Sequence, residues 1–500
     1  MEILIKTLQF ILSLSLLIIL HEGGHFLFAK LFKTRVTRFY LFANWGFHLF
    51  STYDNWFRRL VGKPLVTERG EEGQNLFAWL RNKYYTLTRQ TDKVQNNNIG
   101  NKIYRPEHGT EYGIGWLPIG GYVSIAGMID ETNQKLSETP EPWEFRSKPA
   151  WQRLLIMLGG VIMNFIVAFF IYSMVLYTWG QQYIKPTDMT SGMKFNEQAK
   201  ADGFQDGDIV IAADDKVFES WEVANLRTIS NSKTVTVLRE GEKVTVTLPG
   251  KLNLLDMLEE PRYMSERLPM QIDSVLPGTP AAAIGLSKGD RIVAINDENI
   301  SDFNDLQFAL ADLRAGLDAE STAADSLRHR TITINVEHGD SVKTLKAVLT
   351  PDFTLGFVNK TPDYSITTRE YGFFESLPAG VIYGIDILGG YVNDLKYVFT
   401  KKGARSVGGF ISIGNIFPAE WSWYRFWMLT ALLSIILGFM NVLPIPGLDG
   451  GHALFAISEI ITGRKPSDKF LERAQYVGML LLLGLLIFAN LNDILRLFGI

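Results

Sequence analysis

Four stretches of this 500-residue chain are apolar over about 18 residues or more, the length that crosses a hydrocarbon layer: Ile5 to Leu31, Leu154 to Tyr177, Phe426 to Leu443 and Ala474 to Leu491. Lipid offers no partner to backbone N–H and C=O groups, so each stretch is predicted to be a membrane-spanning helix. The first also resembles a secretory leader in position. No small-x-small cleavage site closes it, however, and processing would discard the polar residues it carries.

Flanking charge sets the orientation. Lys30, Lys33, Arg35 and Arg38 follow the first stretch, and Arg146, Lys148 and Arg153 precede or open the second. By the positive-inside rule this loop is cytoplasmic, as is the loop with Arg464, Lys465, Lys469 and Arg473. The segment from about Gln181 to Ser422 and both termini then lie outside. A net charge of -4 argues against a nucleic-acid partner. With no cysteine in the chain, a metal must be held by His, Asp or Glu.

The outer segment repeats itself. GFQDGDIVIAADDKVFESW (Gly203 to Trp221) aligns without a gap on GLSKGDRIVAINDENISDF (Gly285 to Phe303). Each copy reads as a Gly-Asp turn, an apolar strand, an acidic turn and an amphipathic helix, and TVTVLREGEKVTVTL and TITINVEHGDSVKTLKAVL supply a hairpin apiece. The pattern resembles PDZ domains, most closely over Pro277 to Asn296. That resemblance implies that Leu355, Gly356 and Phe357 form the loop that receives a peptide C-terminus, the peptide adding as a strand to a sheet edge. A PDZ fold used as a spacer or size filter is the alternative, and the first copy shows no clear loop of this kind.

Within the first span stands HEGGH. His21 and His25 are four residues apart, so a helix puts both on one face, with Glu22 beside them. Two imidazoles and a carboxylate suit zinc, and the glutamate suits a general base for a water. Ionisable groups inside a span are costly and mark function. Pairing all three with structural partners would need three separate neighbours. Gly23 and Gly24 weaken the helix and make room for a close helix or a substrate backbone. A third ligand is expected, and Asp449 in GFMNVLPIPGLDGGH is the candidate: Pro444, Pro446 and Gly447 bar a regular helix there, and irregular backbone at membrane depth lines a buried site.

HEGGH in the first span with NVLPIPGLDGGH in a late one resembles the site-2 protease family of intramembrane zinc metalloproteases, and the repeat between the second and third spans resembles its bacterial regulator-of-sigma-E branch. YGIGWLPIGGYVSIAGM and FRSKPAWQRLLIMLGGVIMNF add to the match. The implied fold is a polytopic α-helical membrane protein: four transmembrane helices form a zinc metalloprotease core, with two β-rich PDZ domains inserted between the second and third. The implied divisions are the HEGGH helix in 1–43, an insertion in 44–108, a membrane-associated β-hairpin and linker in 109–150 and the second span in 151–180. Two PDZ domains follow in 181–262 and 263–360, then a linker with an interfacial amphipathic helix in 361–422, the third span with the LDG motif in 423–452, and a loop with the fourth span in 453–500.

The resemblance further implies that His21, His25 and Asp449 bind Zn2+, that Glu22 activates the water and that Asn441 contacts the substrate backbone. The stretch with Gly120, Gly121 and Tyr122 would be the hairpin edge that meets the unwound substrate. Asn441 and Asn164 have a second reading as hydrogen-bond links between helices, favoured for Asn164. The expected substrates are single-span membrane proteins already trimmed outside, such as anti-sigma factors, or remnant signal peptides. The expected location is the bacterial inner membrane, with the active site toward the cytoplasm. From His21 to Lys30 is roughly 13 Å of helix. Two features depart from the family: the length of 44–108, for which a helical cytoplasmic elaboration is the plain reading, and Val161 in place of a common proline. A metal-free scaffold and a transporter are the other classes; neither lost ligands nor repeated membrane halves are seen.

Overall fold

The computed structural model describes residues 2–62, 75–87, 109–117, 120–128, 140–317, 322–339, 341–400, 403–404 and 407–497. The chain divides into a helical unit, Met1–Gly180 with Glu370–Ile500, and a β-rich unit, Gln181–Arg369. Among the described residues, four helices are long and apolar enough to cross a membrane.

In the helical unit these are α1 (Glu2–Leu31), α4 (Ala150–Trp179), α7 (Trp423–Val442) and α9 (Asp468–Leu497). Between α1 and α4 lie β1 (Val36–Leu41), β2 (Ala43–Ser51), α2 (Asn55–Leu60), α3 (Leu76–Leu87), β3 (Glu111–Leu117) and β4 (Tyr122–Ile125). Before α7 come α5 (Phe373–Val398) and α6 (Phe410–Asn415), and after it α8 (Asp449–Thr462). Helix α4 is the hub, packing against α1, α5, α7 and α8. It runs unbroken through Val161, which is buried, and ends at Gly180, whose φ of 67° only glycine takes at little cost. The approach to α1 is close because both helices carry glycine: a Cβ on Gly24 would lie 2.2 Å from the Gly159 carbonyl oxygen. Gly24 thus makes room for a helix, as expected; Gly23 faces open space.

Three expectations about the helical unit need correction. The Tyr112–Met128 stretch is not a hairpin: the sheet order is β2-β3-β1-β4, so β3 and β4 each pair with β1, parallel and antiparallel, and never with each other. Sequence adjacency suggested the hairpin, but β1 offers both strands a partner fixed at the end of α1. The insertion is not simply helical, because Ala43–Ser51 is a strand on the outer edge of that sheet; α2 and α3 follow, and 63–74 and 88–108 lie outside the described residues. Helix α5 does not lie flat at an interface. It runs lengthwise along α4, Phe373 against Tyr177, Gly380 against Ser173 and Gly384 against Phe169, and Tyr391 reaches Phe439 of α7. Glycines four residues apart make the flat stripe that permits this, while Asp386 and Lys396 stay exposed off the packing face.

The β-rich unit is closed at its base by Gln181–Ile184 paired with Ile366–Arg369. It holds two copies of one module, each built on a four-stranded sheet. The repeated hairpins form as predicted, Thr234–Arg239 with Glu242–Thr247 and Thr331–His338 with Ser341–Val348. In both copies a buried aspartate, Asp208 or Asp290, follows a left-handed glycine and accepts the backbone N–H three residues back, Gln205 or Ser287. The first copy extends past its expected end at 262, since Met264–Glu266 pairs with Met193–Phe195. The closing strand returns to the module's first strand, which no local signal announces.

Candidate metal centre

Helix α1 presents His21 and His25 on its buried face, one turn apart. Asp449 arrives from the opposite end of the unit as the first residue of α8. It is placed by the irregular Leu443–Leu448 segment, in which Pro444 and Pro446 stop the helix and Gly447 takes φ 96°. Gly450 and Gly451 let the new helix fold back on the old: a Cβ on either would fall within 2.5 Å of a carbonyl of Leu443 or Ile445.

The three ligand atoms form a triangle. His21 Nε2 and His25 Nε2 are 3.3 Å apart, and each is 3.3 Å from Asp449 Oδ2. A tetrahedron with edges of this length has its centre about 2.0 Å from each corner, the zinc–nitrogen and zinc–oxygen distance. Asp449 Oδ2 is buried without a hydrogen-bond partner, the state of a carboxylate oxygen that faces a cation position. The residues therefore fit zinc with three protein ligands and one open corner. The side-chain nitrogen of Asn441 lies 3.4 Å from His21 Nε2.

The far nitrogens of both imidazoles are also fixed. His25 Nδ1–H donates to the Ile156 carbonyl at 2.8 Å, which leaves the Nε2 lone pair for a metal. His21 Nδ1 lies 3.0 Å from the side-chain nitrogen of Asn164, whose oxygen is buried and unpartnered. Turning that amide end for end lets Nδ1–H donate to the oxygen, freeing Nε2 of His21 in the same way. Asn164 does link two helices, as the favoured reading had it, but its partner is a candidate ligand. Gly160 escaped the sequence reading altogether. A Cβ there would stand 2.5 Å from His21 Cε1 and from His25 Nε2, so only glycine admits both rings. The available signal was a Gly-Gly pair inside an apolar helix with Asn164 one turn on.

The backbone of Val123 lies close enough to act on the Glu22 carboxylate, so β4, at the edge of its sheet, runs past the glutamate. Gly121 packs on Ile18 of α1 and on the Tyr40 carbonyl, where a Cβ would be 2.7 Å from either; Gly120 has open space, and Tyr122 stacks on Tyr40 and donates to Asn44 Oδ1. Leu355, Gly356 and Phe357 lie far along the chain in the β-rich unit. Gly356 takes φ 84°, its carbonyl accepts from Leu276 N–H at 3.0 Å, and Leu355 O accepts from Ala281 N–H at 2.8 Å. The register of the paired strands puts Arg262, Tyr263 and Met264 at the same place in the first copy, without a glycine.

Known proteins are similar to this chain over most of its length. The regulator of sigma E protease of Haemophilus influenzae is 26% identical over 424 residues, 78% of this chain and 88% of its own length. The regulator of sigma-E protease RseP of Escherichia coli is 26% identical over 519 residues, 98% of each chain. A Thermotoga maritima protein provisionally named a zinc metalloprotease is 23% identical over 566 residues, covering 98% of this chain and 99% of its own. The family model for peptidase family M50 matches residues 85–485, and the chain belongs to that family.

Proposed function

We propose that this chain is an intramembrane zinc endopeptidase that cuts the membrane-spanning segment of single-span proteins in regulated intramembrane proteolysis, with His21, His25 and Asp449 as ligands and Glu22 as the general base. Membership of a peptidase family sets the reaction class; the observation that carries the assignment is the 3.3 Å triangle of ligand atoms with an acid beside it. Zinc held there would supply Lewis-acid polarisation of the scissile carbonyl and a more acidic water.

This chain's own groups account for the rest. A helical substrate shields its carbonyls, so it must unwind, and lipid cannot satisfy the freed backbone. The open edge of β4, entered through Gly120, Gly121 and Tyr122, takes the unwound segment as an added strand beside Glu22. Glu22 removes a proton from the attacking water and delivers it to the leaving amide nitrogen. The Asn441 amide holds the substrate backbone on the open side of the triangle. In the orientation set by flanking lysines and arginines, the site lies in the bacterial inner membrane nearer the cytoplasm, with both termini and the two PDZ modules outside. The modules hold back substrates with bulky outer domains until another protease trims them, anti-sigma factors and remnant signal peptides being the fitting classes. The loop at Leu355 to Phe357 offers a place for a peptide C-terminus.

The test compares the purified protein with Glu22→Gln on a tagged single-span substrate, with metal measured in parallel. Cleavage by the parent, with an inert variant that keeps about one zinc, is the expected result. A variant that still cleaves removes Glu22 from the reaction, and a parent that binds no metal removes the centre.

A further inference from the structure

Strand β3 and the described part of the insertion carry more exposed aromatic surface than a water-facing elaboration needs. Along β3 every second residue, Tyr112, Ile114 and Trp116, is exposed on one sheet face. That face grows out of a span: Phe26 of α1 touches the rings of Phe39 and Tyr112 at 5.6 and 6.1 Å. It continues outward, with Trp116 stacked on Phe47 at 5.4 Å and Phe47 tilted against Trp79 of α3 at 4.9 Å. Helix α3 then turns Phe77 (81% exposed) and Leu80 away from the sheet, and Trp45 on β2 and Trp56 and Leu60 around α2 are exposed as well.

Depth along α1 locates the sheet. Its inner end, at Gly121, lies against Ile18, and its outer end is tied by Lys30 donating to Thr110. Those two α1 positions are about 18 Å apart at helical rise, so the sheet and whatever hangs from its edge share the depth of the last turns of the span. Charge points the same way. Arg59, Arg81 and Lys83 are exposed, and over 43–62 and 75–87 the lone acidic residue is Asp54, which is 1% exposed and accepts from His48 at 2.9 Å.

We propose that α3, with the apolar rim of β2 and α2, is a membrane-docking element that lies in the leaflet where α1 ends, its apolar residues in lipid and Arg59, Arg81 and Lys83 among anionic headgroups. Trp and Tyr with flanking Lys and Arg are the composition of that layer. The element holds the outer edge of the sheet whose inner edge, β4, passes Glu22, and so fixes the depth at which a substrate strand is offered. The sign of the headgroup charge rests on the cytoplasmic orientation proposed above; the docking itself does not.

The cysteine-free chain makes the test direct. Phe77→Cys and Leu80→Cys are each labelled with a nitroxide in the full protein, in nanodiscs of phosphatidylcholine with phosphatidylglycerol, and Lys243→Cys on an exposed strand of the β-rich unit serves as the water-facing control. Zinc content reports an intact helical unit. The expected result is strong collision with oxygen and weak collision with a water-soluble nickel chelate at 77 and 80, the reverse at 243. Nickel access at 77 equal to that at 243 overturns the proposal, and shielding of 77 from both reagents overturns it in favour of a protein partner. Combined Arg59→Gln, Arg81→Gln and Lys83→Gln removes any deepening of the 77 label caused by phosphatidylglycerol; a label depth indifferent to that lipid overturns the headgroup contact.

Discussion

The metal centre of the helical unit and the buried charge cluster of the β-rich unit are arranged in opposite ways. In the β-rich unit charges consume one another. Lys194, 4% exposed, pairs with Asp206 at 2.8 Å, Asp302 at 3.1 Å and Asp305 at 2.6 Å, and Arg267 also reaches Asp302. Burial works against the Lys194 ammonium, yet those three carboxylates hold its pKa above the ordinary lysine value. Asp208 receives Arg239, and its counterpart Asp290 receives His338. The helical unit has closed pairs as well, His48 with Asp54 and Arg153 with Glu459, but its metal centre stays open. Among the described residues, the buried carboxylate oxygens without a hydrogen-bond partner are Asp449 Oδ2 and Glu459 Oε2, both on α8. A closed network states what holds a fold together, and unspent coordination marks where something else binds.

The largest effect that would sharpen this contrast is at Gly160. Gly160→Ala puts a methyl group 2.5 Å from atoms of both imidazoles, and they cannot both yield. Zinc affinity and cleavage should fall by roughly a thousandfold or more, because two of three ligands are displaced at once, while hydrogen exchange in the β-rich unit stays as in the parent. A variant with full zinc content would show that the rings have freedom the packing denies.

Lys194→Met inverts the pattern. It leaves Asp206, Asp302 and Asp305 crowded around an apolar side chain, and breaking a buried network from one side costs about 3–5 kcal/mol. Local exchange in both modules should rise accordingly with zinc content unchanged. Stability equal to the parent's would mean that these charges are solvated in practice and that the contrast between the units is weaker than the burial implies.

A smaller effect is expected at Asn164. Asn164→Ala leaves His21 Nδ1 without its acceptor, and loss of such an outer partner lowers metal affinity about 10–100-fold. Titration with competing chelators should show weaker binding that still saturates at one zinc. Unchanged affinity would reduce Asn164 to a link between helices, a role its backbone carbonyl already fills by accepting from Ser434 Oγ at 2.8 Å.

How much of this was legible in the sequence follows from the range of each signal. The four spans and the HEGGH face depend on residues within a few turns, and the described helices fall where hydropathy and spacing put them. Asp449 was legible because prolines and glycines disrupt its surroundings. The sheet order was not, since β1 interposes between β3 and β4 through pairings that span 73 to 89 residues of chain. The place of helix α5 was not legible because its hydropathy averages Asp386, Asp394 and Lys396 with the face of Phe373, Gly380, Tyr383 and Gly384 that meets α4. Gly160 was invisible for a related reason: a glycine that matters for the space it leaves cannot be told from one that merely occupies a helix until the facing side chains are known.

The smallest effect concerns the partner of the repeated aspartate, which is Arg239 in the first module and His338 in the second. Burial raises the Asp290 carboxyl, but the His338 contact and the Ser287 N–H outweigh it and leave the pKa below the usual value. A carboxyl depressed on folding contributes stability that is present above its unfolded value, about 3.9, and is lost as the pH falls through the folded one. The Thr331–Val348 hairpin, which carries His338, should therefore hold its hydrogen-exchange protection down to about pH 4 and lose it below. His338→Ala removes one source of the depression and should move that loss to higher pH, with a slope of no more than about 1.4 kcal/mol per pH unit, the most a single proton can give. Protection in the first module's Thr234–Thr247 hairpin, where Arg239 holds Asp208, should not follow. If both hairpins shift together, the modules unfold as one body and the difference between Arg239 and His338 has no separate consequence; if neither shifts, Ser287 and the turn are enough to hold Asp290 without His338.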